Sequence, residues 1–153
     1  MPIFEEKDPH RAAQHLLDVL DETSGEQVDT FIIDRLHLTQ AFRTHSSLSE
    51  FQEIEKRLVE MSHPFLVLLS MQEDAILSRI NETDEYRAGA WVKKKQGTYE
   101  ERTEYYVVQQ ATLKQLVRES RLPVLILDTT NKDWDGYLNQ ILDFIGGIHA
   151  KAS

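Results

Sequence analysis

The chain has 153 residues, of which 41% are hydrophobic, and this is enough to bury the core of one compact domain. It contains no cysteine, so disulfides, thiolate chemistry and cysteine-ligated metal sites are excluded. The formal net charge of −9 argues against general binding to nucleic acid, which requires many clustered lysines and arginines. No apolar run is long enough for a membrane span, and the first residues lack a signal-peptide pattern, so we expect a cytoplasmic protein with no membrane partner.

Five stretches of the chain have apolar residues three and four positions apart, which predicts amphipathic helices. Gly25 is expected to end the first helix, Pro64 the second, and Gly146-Gly147 the last. A polar connection, residues 81–102, separates the third helix from the fourth. The inward-facing positions are, in chain order, Ala13, Leu16, Leu17 and Leu20; Phe51, Ile54, Leu58 and Met61; Ala75, Ile76 and Ile80; Tyr106, Gln110, Leu113 and Val117; and Trp134, Leu138, Ile141 and Ile145.

Three short apolar runs lie between these helices, at residues 30–33, 65–69 and 124–127. They lack polar alternation, which is typical of strands buried on both faces. Strands that alternate with helices form parallel sheets with helices packed on the faces. The sequence therefore predicts one α/β domain over residues 1–153, with a parallel sheet between two helical layers.

The residues that follow each apolar run are the first candidates for a functional site, because ligands of an open parallel sheet bind beyond the carboxyl ends of its strands. These residues are Asp34-Arg35, Ser70-Met71-Gln72 and Asp128-Thr129-Thr130. The pair Asp34-Arg35 places a carboxylate beside a guanidinium at the rim of the sheet. Taken alone, such a pair is more simply explained as an ion pair that only fixes the strand end.

The order of these segments resembles the thymidylate kinase and deoxynucleoside kinase group of P-loop kinases over nearly the whole chain. The matching segments are FIIDRLHLTQAF, a helix, FLVLLSMQEDAILSRI, a polar basic segment, another helix and PVLILDTT. The most specific match is a hydrophobic strand that ends in Asp34 and Arg35 and is followed by His37. The resemblance implies the three-layer P-loop-kinase fold, and transfer of a phosphoryl group from ATP, with Mg²⁺, to a nucleoside or nucleoside monophosphate.

The resemblance also implies roles for individual residues. Asp34 would activate the acceptor oxygen or organise magnesium, and Arg35 would hold the phosphate or sugar end of the acceptor. A lid over residues 81–102 would close over the phosphates. His37 could instead be a surface histidine, and Thr129 and Thr130 could instead cap the last helix. The implied site thus comprises Asp34, Arg35, Arg79 and Arg87 as catalytic residues, Arg35, His37 and Phe42 as acceptor-binding residues, Asp128, Thr129 and Thr130 as ATP-binding residues, and no cluster of metal ligands.

One part of the family pattern is missing. No GxxxxGK[ST] sequence, the loop that cradles ATP phosphates, occurs anywhere in the chain. In the family this loop follows a central strand, whose loss would leave residues 30–33 and 65–69 about 10 Å apart. Three explanations are open: a truncated gene product, which we favour; direct pairing of the two strands; or a second chain, including another copy of this one, that fills the gap.

Three functions remain open from the sequence. The first is a nucleoside or nucleoside-monophosphate kinase that lacks its N-terminal part and is incomplete in this chain. The second is a non-catalytic nucleotide-binding or regulatory module derived from such a kinase. The third is a structural or interaction protein in which Asp34 and Arg35 form only an ion pair.

Overall fold

The structure is a computed structural model that describes residues 7–24, 30–86 and 97–152. The chain divides into two compact units. The first unit is Met1–Leu66 with Leu113–Pro123, and the second unit is Val67–Thr112 with Val124–Ser153. The elements are α1 (Pro9–Ser24), α2 (His37–Thr44), a 3-10 turn (Leu48–Phe51), α3 (Gln52–Met61), β1 (Leu66–Ser70), α4 (Glu73–Tyr86), α5 (Tyr99–Glu119), β2 (Val124–Asp128) and α6 (Trp134–Ala152).

The first unit is helical and has a continuous apolar core. Helix α1 packs against α2 and α3, as the apolar spacing of the sequence predicts for an amphipathic helix. Phe51 and Ile54 are fully buried at the centre, and the C-terminal part of α5 contributes Leu116. The core cluster consists of Ala12, Leu16, Leu20, Ala41, Leu48, Phe51, Ile54, Leu58, Leu116 and Leu122.

The sheet of the described residues contains two strands, β1 and β2, which run parallel. The main-chain N–H of Leu66 donates to the carbonyl of Pro123 at 2.8 Å, and that of Thr129 donates to the carbonyl of Ser70 at 2.7 Å. These two bonds set Ser70 beside Asp128 at the carboxyl ends of the strands. The residues that follow the two strands therefore lie close together.

The predicted fold class is wrong. Helices make up most of the described residues, and the two-stranded sheet has no third strand and no central strand between helical layers. The strands are also less buried than their continuous apolar sequences indicate, since Leu69 and Ile126 are exposed. A continuous apolar run in the sequence does not by itself show that other elements cover both faces of the strand.

The first predicted strand does not form. Residues 30–33 have no regular secondary structure and lie outside any ladder, and Ile32 is 95% exposed. A strand needs a neighbour that pairs with its main-chain N–H and C=O groups. In the described residues neither β1 nor β2 pairs with residues 30–33, so these residues form no ladder. Direct pairing of residues 30–33 with β1 is therefore not observed.

The helices after β1 agree with the predicted positions but differ in length. Helix α4 continues to Tyr86 and α5 begins at Tyr99, so both ends of the lid-like segment 81–102 are helical, while residues 87–96 lie outside the described residues. Helix α6 does not stop at Gly146 and Gly147 but continues to Ala152. No helix in the described ranges combines the length and hydropathy needed to cross a bilayer.

Candidate functional site

The turn before α2 holds Asp34 and Arg35 at the surface. Arg35 has φ +57°, a left-handed conformation that costs a non-glycine residue about 1 kcal/mol, and Leu36 follows as the N-cap without a side-chain hydrogen bond. Asp34 and Arg35 form an ion pair of 3.6 Å with side chains 87% and 69% exposed. Exposed pairs contribute little stability. The guanidinium of Arg35 is thus open to solvent beside the first turn of α2.

His37, the first residue of α2, is fully buried against a glutamate of α3. Its Nε2 lies 3.1 Å from Oε1 of Glu55. The hydroxyl of Ser120 donates to the same oxygen, and the main-chain N–H of Arg121 donates to Oε2 at 3.1 Å. Burial raises the pKa of Glu55, but the hydrogen bonds from these three residues more than offset it, so the pKa lies below its ordinary value. Glu55 is therefore a buried, hydrogen-bonded carboxylate.

The ionisation of Glu55 determines which ring nitrogen of His37 carries a proton and which one can accept a hydrogen bond. An ionised carboxylate only accepts hydrogen bonds, so Nε2 of His37 carries the proton. In the neutral imidazole Nδ1 is then an acceptor, as in the tautomers set by histidine–carboxylate pairs. Nδ1 is buried and has no hydrogen-bond partner.

A second unpaired acceptor lies one helical turn further along α2. The side-chain oxygen Oε1 of Gln40 is also buried without a hydrogen-bond partner. Among the described residues three buried side-chain polar atoms lack a partner, and two of them are these neighbours on one face of α2. A buried polar group left unpaired costs about 1–3 kcal/mol. Phe42, two residues further, is buried as well.

The loops that follow β1 and β2 are joined by hydrogen bonds in the second unit. The side-chain amide of Gln110 accepts from the N–H of Met71 at 2.7 Å and donates to its carbonyl at 2.9 Å. The N–H of Gln72 donates to Oγ1 of Thr130 at 2.9 Å, and Oγ1 of Thr129 donates to the carbonyl of Ser70 at 3.0 Å. The two loops consequently form one connected group at the carboxyl end of the sheet.

The guanidinium of Arg79 is hydrogen-bonded to the loop that follows β2. Its Nη2 donates to the carbonyls of Thr129 and Thr130 at 3.1 and 3.4 Å, and its Nε lies 3.9 Å from Glu82. The N–H of Thr130 donates to Oδ1 of Asp128. The main-chain groups of Thr129 and Thr130 thus already have partners within the chain, so this loop offers few free groups to an adenine ring.

A buried ion pair, which the sequence did not single out, joins α4 to α5. The guanidinium of Arg102 donates to both carboxylate oxygens of Asp84 at 2.6 and 3.0 Å, and both side chains are largely buried. The ring of Tyr99 lies 5.4 Å from the guanidinium carbon. Hydrogen bonding to Asp84 raises the pKa of Arg102 above its ordinary value. Arg102, part of a basic stretch in the sequence, is therefore neutralised.

ATP and Mg²⁺ require a cradle for the phosphates and oxygen ligands for the metal. The described residues contain no group of three or more His, Asp or Glu side chains that could hold a metal. Magnesium usually takes only one or two carboxylates together with phosphate oxygens, so Asp34 stays a predicted ligand. A cradle of main-chain N–H groups and a lysine for the ATP phosphates is not found in the sequence. The sequence therefore lacks the phosphate cradle of P-loop kinases.

The structure separates the residues predicted from the sequence into two groups. Asp34, Arg35, His37 and Phe42 lie in the first unit, in α2 or in the turn before it. The second unit contains the residues assigned to ATP and the lid: Arg79, Asp128, Thr129 and Thr130. Arg87 lies outside the described residues.

Comparison with protein-family models, with curated protein sequences and with solved structures finds no match to this chain. The resemblance to P-loop kinases, the transfer of phosphoryl groups and the use of ATP and Mg²⁺ therefore stay predictions. The geometry of α2 and its surroundings carries the functional argument.

Proposed function

We propose that the chain binds a nucleoside monophosphate, or a nucleoside, along α2 of the first unit and acts as a nucleotide-binding module. The observation that carries the proposal is the pair of buried, unpaired atoms on one face of α2, His37 Nδ1 and Gln40 Oε1, in a helix that begins two residues after Arg35, whose guanidinium is exposed. Buried polar atoms normally have partners. Two without one, on adjacent turns, are explained by a ligand that supplies the missing donors.

The phosphate would bind at the start of α2. The first N–H groups of a helix have no partner within the helix, and Leu36 provides no side-chain cap for them. The N-terminus of a helix also favours negative charge, and the planar fork of Arg35 can bind two phosphate oxygens together. The left-handed backbone of Arg35 places this side chain directly before the helix. Asp34 would stay beside it and orient the guanidinium.

The base would bind further along the helix. Gln40 lies three residues, or about 4.5 Å along the helix axis, beyond His37, the first residue of α2. It therefore lies further along the helix than the end at which the phosphate would bind. Oε1 of Gln40 accepts hydrogen bonds, and so does Nδ1 of His37 when its imidazole is neutral, so in that state both atoms are complementary to N–H groups on the edge of a base. Phe42, which the family resemblance assigns to acceptor binding, lies about 200° around the helix from Gln40 and is not part of this face. The two acceptors favour a ligand with a nucleobase over inorganic phosphate.

Phosphoryl transfer from ATP is the reaction that the family resemblance implies for such an acceptor site, and it stays a prediction. We derive no catalytic step from ATP, because the residues present do not provide its phosphate cradle. The proposed function is therefore binding without transfer.

The test is binding of nucleosides, nucleoside monophosphates and ATP to the purified chain, measured by thermal shift and calorimetry. We expect a monophosphate to bind and Arg35→Ala to weaken it roughly 10- to 100-fold, which corresponds to the loss of a charge-assisted hydrogen bond. The control is Arg11→Ala, which removes an exposed arginine of α1 and should leave affinity unchanged. Absence of binding by every compound, or equal loss in both variants, would contradict the proposal and favour a structural role for the Asp34–Arg35 pair.

A further inference from the structure

The two unpaired atoms on α2 differ in the hydrogen-bonding groups beside them. Oε1 of Gln40 belongs to an amide, so an NH₂ donor lies next to this acceptor. In the neutral imidazole of His37 the proton is on Nε2, which lies 3.1 Å from Oε1 of Glu55, so Nδ1 can only accept. This face of α2 thus offers a lone acceptor at His37 and a neighbouring acceptor and donor at Gln40.

The lone acceptor of His37 is the group that can select a base. An amide carries both a donor and an acceptor, so Gln40 can pair with the hydrogen-bonding edge of any base and selects none. Beside that edge, on the side nearer the sugar, guanine has an amino group, adenine has a C–H and the pyrimidines have a carbonyl oxygen. Among these bases, guanine alone supplies the donor that the buried Nδ1 of His37 lacks.

The order of the groups along α2 agrees with the order of the groups in a guanine nucleotide. His37 is the first residue of α2, at the end where the phosphate would bind, and Gln40 lies three residues further along. In guanosine monophosphate the amino group lies nearer the sugar than N1–H and the ring carbonyl do. A phosphate at the start of α2 therefore brings the amino group to His37 and the N1–H to Gln40.

We propose that the base bound along α2 is guanine, with its amino group donating to Nδ1 of His37 and its N1–H donating to Oε1 of Gln40. This inference rests on the proposed nucleotide site and adds its base specificity. Both acceptors are covered in the free chain, so side chains over them must move to admit the base, as side chains at binding surfaces commonly do. A ligand without the amino group would leave Nδ1 buried and unpaired, which is the basis of the selection.

The first test compares four ribonucleoside monophosphates, which share the sugar and phosphate and differ in the base. Binding of GMP, IMP, AMP and UMP to the wild-type chain is measured by calorimetry at about pH 8, which favours a neutral imidazole. IMP is GMP without the amino group, and we expect it to bind roughly 10- to 100-fold more weakly. AMP should bind no more tightly than IMP. UMP should bind most weakly, because its carbonyl oxygen would face Nδ1 of His37.

A variant of Gln40 tests which side chain contacts the amino group. Gln40→Met removes the acceptor for N1–H, which GMP and IMP share, so both should bind roughly 10-fold more weakly while the ratio of their affinities stays unchanged. Gln52→Met, at an exposed position of α3, is the control and should leave both affinities unchanged.

The possible failures separate the base specificity from the nucleotide site itself. Equal affinity for the four nucleotides, or tighter binding of any other than GMP, overturns the specificity and leaves the nucleotide site in place. Loss of the preference for GMP over IMP in Gln40→Met overturns the assignment of the amino group to His37. Absence of binding by all four overturns the inference together with the monophosphate site.

Discussion

The first unit is held by a continuous apolar cluster, whereas the second unit relies on side chains that hydrogen-bond to main-chain groups. In the first, ten buried apolar residues contact one another across α1, α2, α3 and the end of α5. In the second, the buried apolar residues within the described ranges are Ile76, Ile80, Leu127 and Tyr137, and the loops are fixed by Gln110, Arg79 and Thr129. Where apolar burial is incomplete, directional polar contacts define the geometry instead.

The largest effect should come from the core of the first unit. Phe51→Ala removes a fully buried ring and should lower the free energy of unfolding by about 3–5 kcal/mol. The measurement is urea denaturation followed by circular dichroism. Leu69→Ala in the second unit removes a side chain that is mostly exposed, and its loss should stay under about 1 kcal/mol. Similar losses in both variants would show that the two units do not differ in apolar packing.

The polar counterpart in the second unit is the ion pair between Arg102 and Asp84. Arg102→Ala takes two charge-assisted hydrogen bonds from a buried carboxylate and should cost about 2 kcal/mol. Arg118→Ala, at an exposed position of the same helix, should have almost no effect. Adding Asp84→Ala to Arg102→Ala should recover part of the loss, because no buried charge then remains. Equal stability of the two arginine variants would argue against this role.

The buried carboxylate of the first unit should make stability depend on pH. Its folded-state pKa lies below the ordinary value of 4.5, so Glu55 contributes stability above that pH and loses the contribution as the pH falls through the folded-state pKa. Glu55→Gln should therefore flatten the decline in stability of wild type on the acid side of pH 4.5. Glu53→Gln, an exposed change on α3, should decline as wild type does. The measurement is urea denaturation at a series of pH values.

The smallest expected effect is an increase in the free energy of unfolding rather than a decrease. Gln40→Met replaces an unpaired buried amide by an apolar side chain of similar shape and should raise stability by up to about 1 kcal/mol in the absence of ligand. If the proposed site is correct, the same change should weaken nucleotide binding. Gln52→Met at an exposed position of α3 is the control and should alter neither property. A clear loss of stability in Gln40→Met would mean that Oε1 has a partner in the folded chain.

The sequence predicted local structure better than it predicted the sheet. Apolar spacing correctly placed the helices that bury Leu16, Ile54 and Ile80, because this pattern depends only on residues within one helix. The apolar run at residues 30–33 gave a wrong prediction, since a strand depends on a neighbour that the pattern does not reveal. Gly146 and Gly147 were expected to end α6, but apolar residues continue on both sides and the helix runs through them.

In the candidate site, too, residues in a local sequence pattern could be predicted, whereas a residue placed by packing between helices could not. Asp34 and Arg35 could be found because an acidic-basic pair after an apolar run is visible in the sequence. Glu55 was missed, although it follows Ile54 on a helix whose apolar positions place it at the edge of the buried face. That a glutamate there pairs with His37 depends on the packing of α2 against the neighbouring helix, which lies outside any local pattern.

The amide of Gln110 has a consequence for the behaviour of the chain in concentrated solution. Ser70 faces β2 with its carbonyl, so the next residue, Met71, directs its main-chain groups toward the open edge of the sheet, and Gln110 occupies both of them. An incoming strand could add along Val67 and Leu69 but could not extend past Met71. The side chain of Gln110 thus limits the length of β1 along which another strand could pair.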